Sequence, residues 1–187
     1  KVVADALSFQ VSDEEILNKK PCFPPQQRPV FLAHKKKNIA FVIGASWPSK
    51  EYPKEKFAAL CSALESCNCL LIWGNEREKE YAGFIAEHAS NAVVAPKLSL
   101  AELRAVIEHC DLTIGNDTGP THLAWAMNRP SITLFGPTNT RMIFETPVNL
   151  ACESDSEVNI NKIDKDDFSI QTIAVDEIAD KAKRLLA

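Results

Sequence analysis

The sequence is short of the features that announce the commonest chemistries. It has no CxxC pair, no HExxH and no Cys/His cluster, so nothing in it spells a structural metal site. The dinucleotide fingerprint GxGxxG is missing, which lowers the prior for an NAD or FAD enzyme, and the GxxxxGK[ST] loop is missing too. No apolar run approaches the length of a transmembrane helix, and no signal-peptide pattern opens the chain. Excess positive charge is also absent. The net charge is −4, which argues against a general nucleic-acid binder. No serine or cysteine nucleophile stands near His122, which argues against a triad. No tandem repeat or low-complexity tract stands out.

What is present is ordinary globular material. At 187 residues, 45% hydrophobic and 25% charged, the chain reads as one domain plus extensions with a real core. Its six cysteines (Cys22, Cys61, Cys67, Cys69, Cys110 and Cys152) read as buried reduced thiols of a reducing compartment. Residues 1–37 differ from the rest. A weak apolar pattern (Leu7, Phe9, Ile16, Leu17) is followed by Pro21, Pro24, Pro25 and Pro29 and by a basic run, His34 to Lys37. This region is expected to be a linker or the end of a preceding domain. A start at Lys1 without Met suggests a piece of something longer.

From Asn38 the pattern becomes repeated strand-then-helix units. Ile39–Ile43, Leu70–Trp73, Ala92–Ala95, Leu112–Ile114 and Ser131–Phe135 are short apolar runs suited to buried parallel strands, with Val148–Cys152 as a sixth candidate. Between them apolar residues recur at helical spacing: Phe57, Leu60, Cys61 and Leu64, then Tyr81, Phe84 and Ile85, then Leu103, Val106 and Ile107 behind a Ser99–Glu102 capping box. Residues 153–171 are polar and read as loop. A last amphipathic helix carries acids early and bases late, as the helix dipole favours. The fold class implied is α/β, a Rossmann-like, doubly wound parallel sheet, whose ligands sit at the carboxyl ends of the strands.

The loops at those ends hold the candidate chemistry. The richest is Ile114-Gly-Asn-Asp-Thr-Gly-Pro-Thr-His122, where a strand turns into a helix. Its glycines permit close backbone approach, and the helix N-terminus presents amides and a positive dipole end suited to a phosphate. Asp117 there can accept hydrogen bonds from sugar hydroxyls. A tight turn with Thr118 as helix cap explains the same residues. The loop after the first strand supplies Ser46 and Lys50, a hydroxyl and a point charge for a diphosphate, or a solvated surface charge. The loop after the second strand supplies acids, among them Glu78, able to grip a ribose or simply to favour a helix start. Gly136-Pro137-Thr138 adds a hydroxyl after the fifth strand. His34, His88 and His109 read as surface or helix-end residues.

In order, these loops spell AS-x3-K-x2-P, WG-x3-E, PK-x-SL, NDTGPTH and LFGPT. The series resembles the C-terminal half of the bacterial lipopolysaccharide heptosyltransferases over about residues 38–140, and more loosely in the last helix. The resemblance implies the C-terminal domain of a GT-B glycosyltransferase, holding ADP-heptose for inverting transfer to the Kdo/heptose inner core of lipopolysaccharide. By matching positions, Ser46 and Lys50 would contact the diphosphate, Glu78 the ribose, and the backbone at Leu98 the adenine. Asp117 would bind heptose hydroxyls, the backbone of Thr118 and Gly119 the phosphate, and His122 would lie near the diphosphate. Ala45 departs from relatives that carry a second hydroxyl there. The general base is expected in the N-terminal acceptor domain, so no catalytic residue is assigned within 1–187, and the chain alone is expected to bind donor without transferring sugar. Neither a metal nor a cofactor is implied. The location implied is cytoplasmic, at the inner face of the inner membrane, with a lipid-linked acceptor. Another nucleotide-sugar transferase or epimerase of this architecture, or a non-catalytic binding module, remains open on the residues.

Overall fold

The structure, a computed structural model, describes residues 6–21, 23–159 and 162–187, without the side chain of Met142. Six parallel strands form one sheet: β1 (Asn38–Val42), β2 (Asn68–Ile72), β3 (Ala92–Val94), β4 (Leu112–Asn116), β5 (Ser131–Phe135) and β6 (Asn149–Glu153). Their order is β3-β2-β1-β4-β5-β6. The helices between them are α2 (Lys54–Ala63), α3 (Glu76–His88), α4 (Leu100–His109) and α5 (Gly119–Ala126), with α6 (Val175–Leu186) last and a short α1 (Asp13–Leu17) ahead of the sheet.

Strand β1 is buried at every position because helices cover both faces of the sheet. Side chains alternate between those faces. Ile39, Phe41 and Ile43 join the larger core with Phe57, Leu60, Leu71, Ile85, Ile114, Ile132 and Ile178, under α2, α3 and α6. Ala40 joins the smaller core on the other side with Leu70, Ile72 and Val106, under α4. Helix α5 packs beside α4 through Ile107, Ala124 and Met127. Fully burying one such Leu, Ile or Phe side chain contributes roughly 1.5–3 kcal/mol before conformational entropy is counted, so the two cores hold the strand ends rigidly. The chain leaves β1 toward β2 and leaves β4 toward β5, in opposite directions across the sheet. That reversal opens a crevice above the carboxyl ends of the two central strands.

The segment ahead of β1 is more than a tether. Leu32 is 1% exposed and sits in the smaller core. The Gln26 N–H donates to Glu108 Oε2 (3.1 Å), the Arg104 guanidinium donates to Pro24 O (2.6 Å), and His109 Nε2 lies 2.8 Å from Gln26 O. Further back, Lys19 Nζ donates to Asn128 Oδ1 (3.1 Å). The linker expected over residues 1–37 therefore includes a strap along α4 and α5, and His109, the last residue of α4 as the helix-end reading expects, is also a strap contact. Five of the expected buried thiols (Cys61, Cys67, Cys69, Cys110 and Cys152) are buried and free, while Cys22 lies outside the described residues. The basic run Lys35–Lys37 is exposed.

Gly115 sits where β1 and β4 come closest to the crevice. A Cβ there would lie 2.5 Å from Val42 Cβ and 2.7 Å from Val42 O. Those neighbours belong to the strand paired with Gly115, one of them its backbone, and cannot readily yield. Gly115→Ala should therefore cost about 1–3 kcal/mol of stability by overpacking, read as a lower urea midpoint. An unchanged midpoint would contradict this packing.

Candidate functional site

The crevice holds a cavity of about 780 Å3. All eight residues singled out from sequence line it: Ser46, Lys50, Glu78, Leu98, Asp117, Thr118, Gly119 and His122. Asn116 explains how distant loops meet there. It is fully buried at the end of β4. Its Nδ2 donates to Ile43 O (2.9 Å), and its Oδ1 accepts from the Tyr52 N–H (3.0 Å). One amide thus pins both ends of the loop that carries Ser46 and Lys50. The Asn116 carbonyl also accepts from Thr121 Oγ1 (2.8 Å), which fixes the first turn of α5. Tyr52 is anchored again at its other end, where its hydroxyl donates to Ile173 O (2.9 Å).

Asp117 is the electrostatic centre, 5% exposed. Lys50 Nζ lies 2.7 Å from its Oδ2, His122 Nε2 lies 2.7 Å from its Oδ1, and Thr138 Oγ1 donates to Oδ2 (2.8 Å). A carboxylate only accepts, so His122 carries its proton on Nε2 here. Burial pushes the Asp117 pKa up, but the hydrogen bonds from His122, Lys50 and Thr138 and the charge of Lys50 outweigh it and hold the group at about 2. Most of the acceptor capacity expected to serve sugar hydroxyls is therefore engaged by protein donors. Lys50 is itself 8% exposed, not the solvated charge of the simpler reading. Its ammonium also lies 4.9 Å from the Trp47 ring centroid. A smaller cavity of about 280 Å3 opens on the far side of this pair, lined by Trp47, Thr138, Asn139 and Arg141 among others.

Helix α5 begins at the same point. Its N-cap, Thr118, makes no side-chain capping bond; the hydroxyl donates to Asn116 O instead (3.4 Å). Asn75 caps α3 and Ser99 caps α4, the latter in the expected capping box, whereas α2 and α6 also begin without a side-chain cap. The first-turn amides of α5 thus face the cavity without a capping side chain, which suits an anion.

The rim of the cavity is built by α3 and the loop before α4. Glu78 accepts from the Gly74 N–H at Oε2 (2.6 Å) and from Asn75 Nδ2 at Oε1 (2.7 Å). Its carboxyl packs on Gly44 so closely that a Cβ there would lie 2.2 Å from Glu78 Cδ. Opposite it, Leu98 and Leu103 line the cavity and pack on the smaller core, while Leu100 is 85% exposed at the mouth. Ser46 is exposed and Ala45 brings no hydroxyl. The site can hold an anionic group against Lys50 and α5, hydroxyls against Glu78, and a flat apolar body against the leucines. Among the described residues no group of three His, Cys, Asp or Glu side chains could hold a metal ion. Asp164 and Asp166, spaced D-x-D in the loop after β6, are exposed.

Four residues contribute in ways that the sequence alone does not reveal. Asn116 lies inside the richest motif without an assigned part. Thr138 reads only as a nearby hydroxyl, yet it bonds Asp117. Glu51 and Arg77 join the Lys50 loop to the first turn of α3 in an ion pair that no motif announces. His88 stacks on Phe84 (centroids 4.1 Å apart), away from the cavity lining.

Comparison with known proteins adds three findings. A family model described as glycosyltransferase family 9 (heptosyltransferase) matches residues 6–167. Lipopolysaccharide heptosyltransferase 1 of Campylobacter coli is 42% identical over 164 residues, covering 82% of this chain and 48% of the relative. The enzyme of the same name from Pseudomonas aeruginosa is 36% identical over 103 residues, covering 54% and 29%. Among solved structures, the glycosyl transferase family 9 protein of Veillonella parvula aligns at TM-score 0.72 and 26% identity, covering 83% of this chain and 47% of that one. E. coli heptosyltransferase WaaC with ADP aligns at TM-score 0.71 and 20% identity, covering 97% and 53%, a likeness of fold. The chain spans about half the length, or less, of the relatives it matches.

The depressed Asp117 pKa has a stability consequence. Its contribution is fully present above the ordinary carboxylate value of 3.8 and is lost as pH falls through about 2. A shift of that size corresponds to about 2 kcal/mol. Asp117→Asn should flatten the fall in urea midpoint between about pH 4 and pH 2. The same acid slope in both proteins would overturn the assignment.

Proposed function

This chain belongs to glycosyltransferase family 9, the heptosyltransferases, and we propose that it is the donor-binding half of such an enzyme, seating ADP-heptose between the ends of β1 and β4. The observation that carries the reading is the convergence of Lys50, His122 and the α5 amino end on one cavity, with Asp117 accepting from both side chains. E. coli WaaC has been solved with ADP and, separately, with ADP-2-deoxy-2-fluoro heptose, which supports a nucleotide-sugar donor here.

In this reading the pyrophosphate lies against Lys50, Ser46 and the backbone of Thr118 and Gly119. The ribose hydroxyls donate to Glu78, and the adenine lies by Leu98. Transfer proceeds with inversion. An acceptor hydroxyl oxygen bonds to the anomeric carbon as the bond from that carbon to the diphosphate oxygen breaks, and ADP departs with the electron pair. Lys50 and the α5 dipole stabilise the charge that grows on the diphosphate, in a site already organised for it. The hydroxyl proton passes to a base in the other half of the enzyme. This charge compensation needs no metal or cofactor. Asp117 serves the heptose through whatever acceptor capacity its protein donors leave, and otherwise holds Lys50 and His122 in position. The acceptor is the Kdo/heptose inner core of lipopolysaccharide. No described helix is long and apolar enough to cross a membrane, and we place the work at the cytoplasmic face of the inner membrane, reached through the acceptor.

Calorimetric titration should give binding of ADP in preference to UDP and GDP, unchanged by EDTA. Preference for UDP or GDP would overturn the donor assignment, and loss of binding in EDTA would overturn the metal-free site. Lys50→Ala should weaken ADP by about 1–3 kcal/mol, the range for a lost charged hydrogen bond with its partner left behind. The chain alone should show no heptose transfer to a Kdo-lipid acceptor, and robust turnover would contradict a donor-binding half.

A further inference from the structure

Two residues that touch neither cavity link the two halves of the donor site. Glu51 directly follows Lys50, and Arg77 directly precedes Glu78. The Arg77 guanidinium grips the Glu51 carboxylate with both terminal nitrogens, one bond running from Nη1 to Oε2 at 2.9 Å and the other from Nη2 to Oε1. The Glu51 side chain is 6% exposed, whereas Arg77 is 46% exposed. The Arg77 guanidinium also lies 5.3 Å from the Tyr81 ring centroid, one turn further along α3.

This placement is costly unless it serves the pair. Arg77 stands in the first turn of α3, where the helix dipole disfavours a cation and where its neighbours Glu76 and Glu78 are the expected acids. Glu51 is a carboxylate withdrawn from water at the end of a loop, where it needs a partner. Each charge is misplaced on its own element and satisfied by the other. A two-toothed guanidinium–carboxylate contact fixes direction as well as distance, which a single ammonium would not.

We propose that the Glu51–Arg77 ion pair is the spacer of the donor site, setting Lys50 at a fixed reach from Glu78 so that one nucleoside diphosphate meets both. This rests on the reading of the cavity as a nucleoside-diphosphate seat. Lys50 serves the pyrophosphate and Glu78 the ribose, and the two moieties are joined covalently in the ligand. Binding both at once is favourable only if the two protein groups are already the right distance apart. Glu51 and Arg77 are positioning residues, since each acts through its neighbour.

The test separates positioning from simple stability by dissecting the ligand. Adenosine needs the Glu78 side alone, and inorganic pyrophosphate needs the Lys50 side alone, whereas ADP needs both in register. The full 187-residue chain is compared with Arg77→Lys and with the double variant Glu51→Gln/Arg77→Ala, which removes the pair without stranding a buried charge. Dissociation constants for ADP come from calorimetry, those for the two fragments from NMR titration, and melting temperatures are recorded throughout. Loosened spacing should weaken ADP by about fivefold to tenfold in the double variant, by less in Arg77→Lys, and change adenosine and pyrophosphate by no more than about twofold. Unchanged ADP affinity would overturn the proposal. So would equal losses for all three ligands, because that pattern means damage to the fold. Should the unaltered chain fail to bind ADP, it is the donor-site reading that falls, a result distinct from either.

Discussion

The buried ion pair between Lys50 and Asp117 is the constraint on which the rest of the site depends. A lysine ammonium this far from water is unfavourable without a counter-charge, and a carboxylate this far from water is worse. Together, with His122 and Thr138 completing the carboxylate's partners, they form a network that is satisfied within the protein. The arrangement keeps positive charge at the cavity wall without requiring bulk water to solvate it. An incoming diphosphate then meets an ammonium already oriented, and competes with one carboxylate rather than with a hydration shell. The electrostatic work is done during folding instead of during binding.

The fold makes that pairing possible through its strand order. Asp117 follows β4 and Lys50 follows β1, and those strands are neighbours only because the sheet reverses direction between them. Asn116 then turns adjacency into registration, with its amide bonded to both ends of the Lys50 loop and its carbonyl bonded to α5. Tyr52 carries the same loop down to the turn before α6. The site is thus fastened to the two central strands of the sheet and, at its far edge, to the turn before the last helix.

Much of this was legible in the chain. Strand β5 spans the expected Ser131–Phe135, and the other five strands begin or end within a residue or two of the apolar runs, because each run is short, branched and closed by turn residues. The capping box at Ser99 and the dipole-ordered charges of α6 were legible for the same reason, that both are local. The grouping of the site residues around one cavity followed from the strand-end rule for the loops after β1, β2 and β4, and for Leu98 from the family resemblance alone. What escaped was long-range. No spacing in the sequence joins Asn116 to Ile43 and Tyr52, or Arg77 to Glu51. A sequence can show that Asp117 is acidic but not that three donors from separate elements claim it. The strap escaped for a different reason. Its prolines signal the lack of a helix, which is right, but an extended chain docked by backbone contacts has no periodicity to read.

The meeting of Gly44 with Glu78 carries a lesson about inheritance. The carboxyl of Glu78 fills the volume in which any side chain on residue 44 would begin. A lineage that enlarged position 44 would have to shorten or redirect position 78 in the same step, or lose the acid from the rim. The dependence runs one way, because a shorter residue at position 78 leaves Gly44 untouched. The smallness of residue 44 is therefore inherited along with the acid, and the glycine, whose carbonyl accepts from Asn116 Nδ2 (3.3 Å), is as much a part of the ligand's outline as the acid that leans over it.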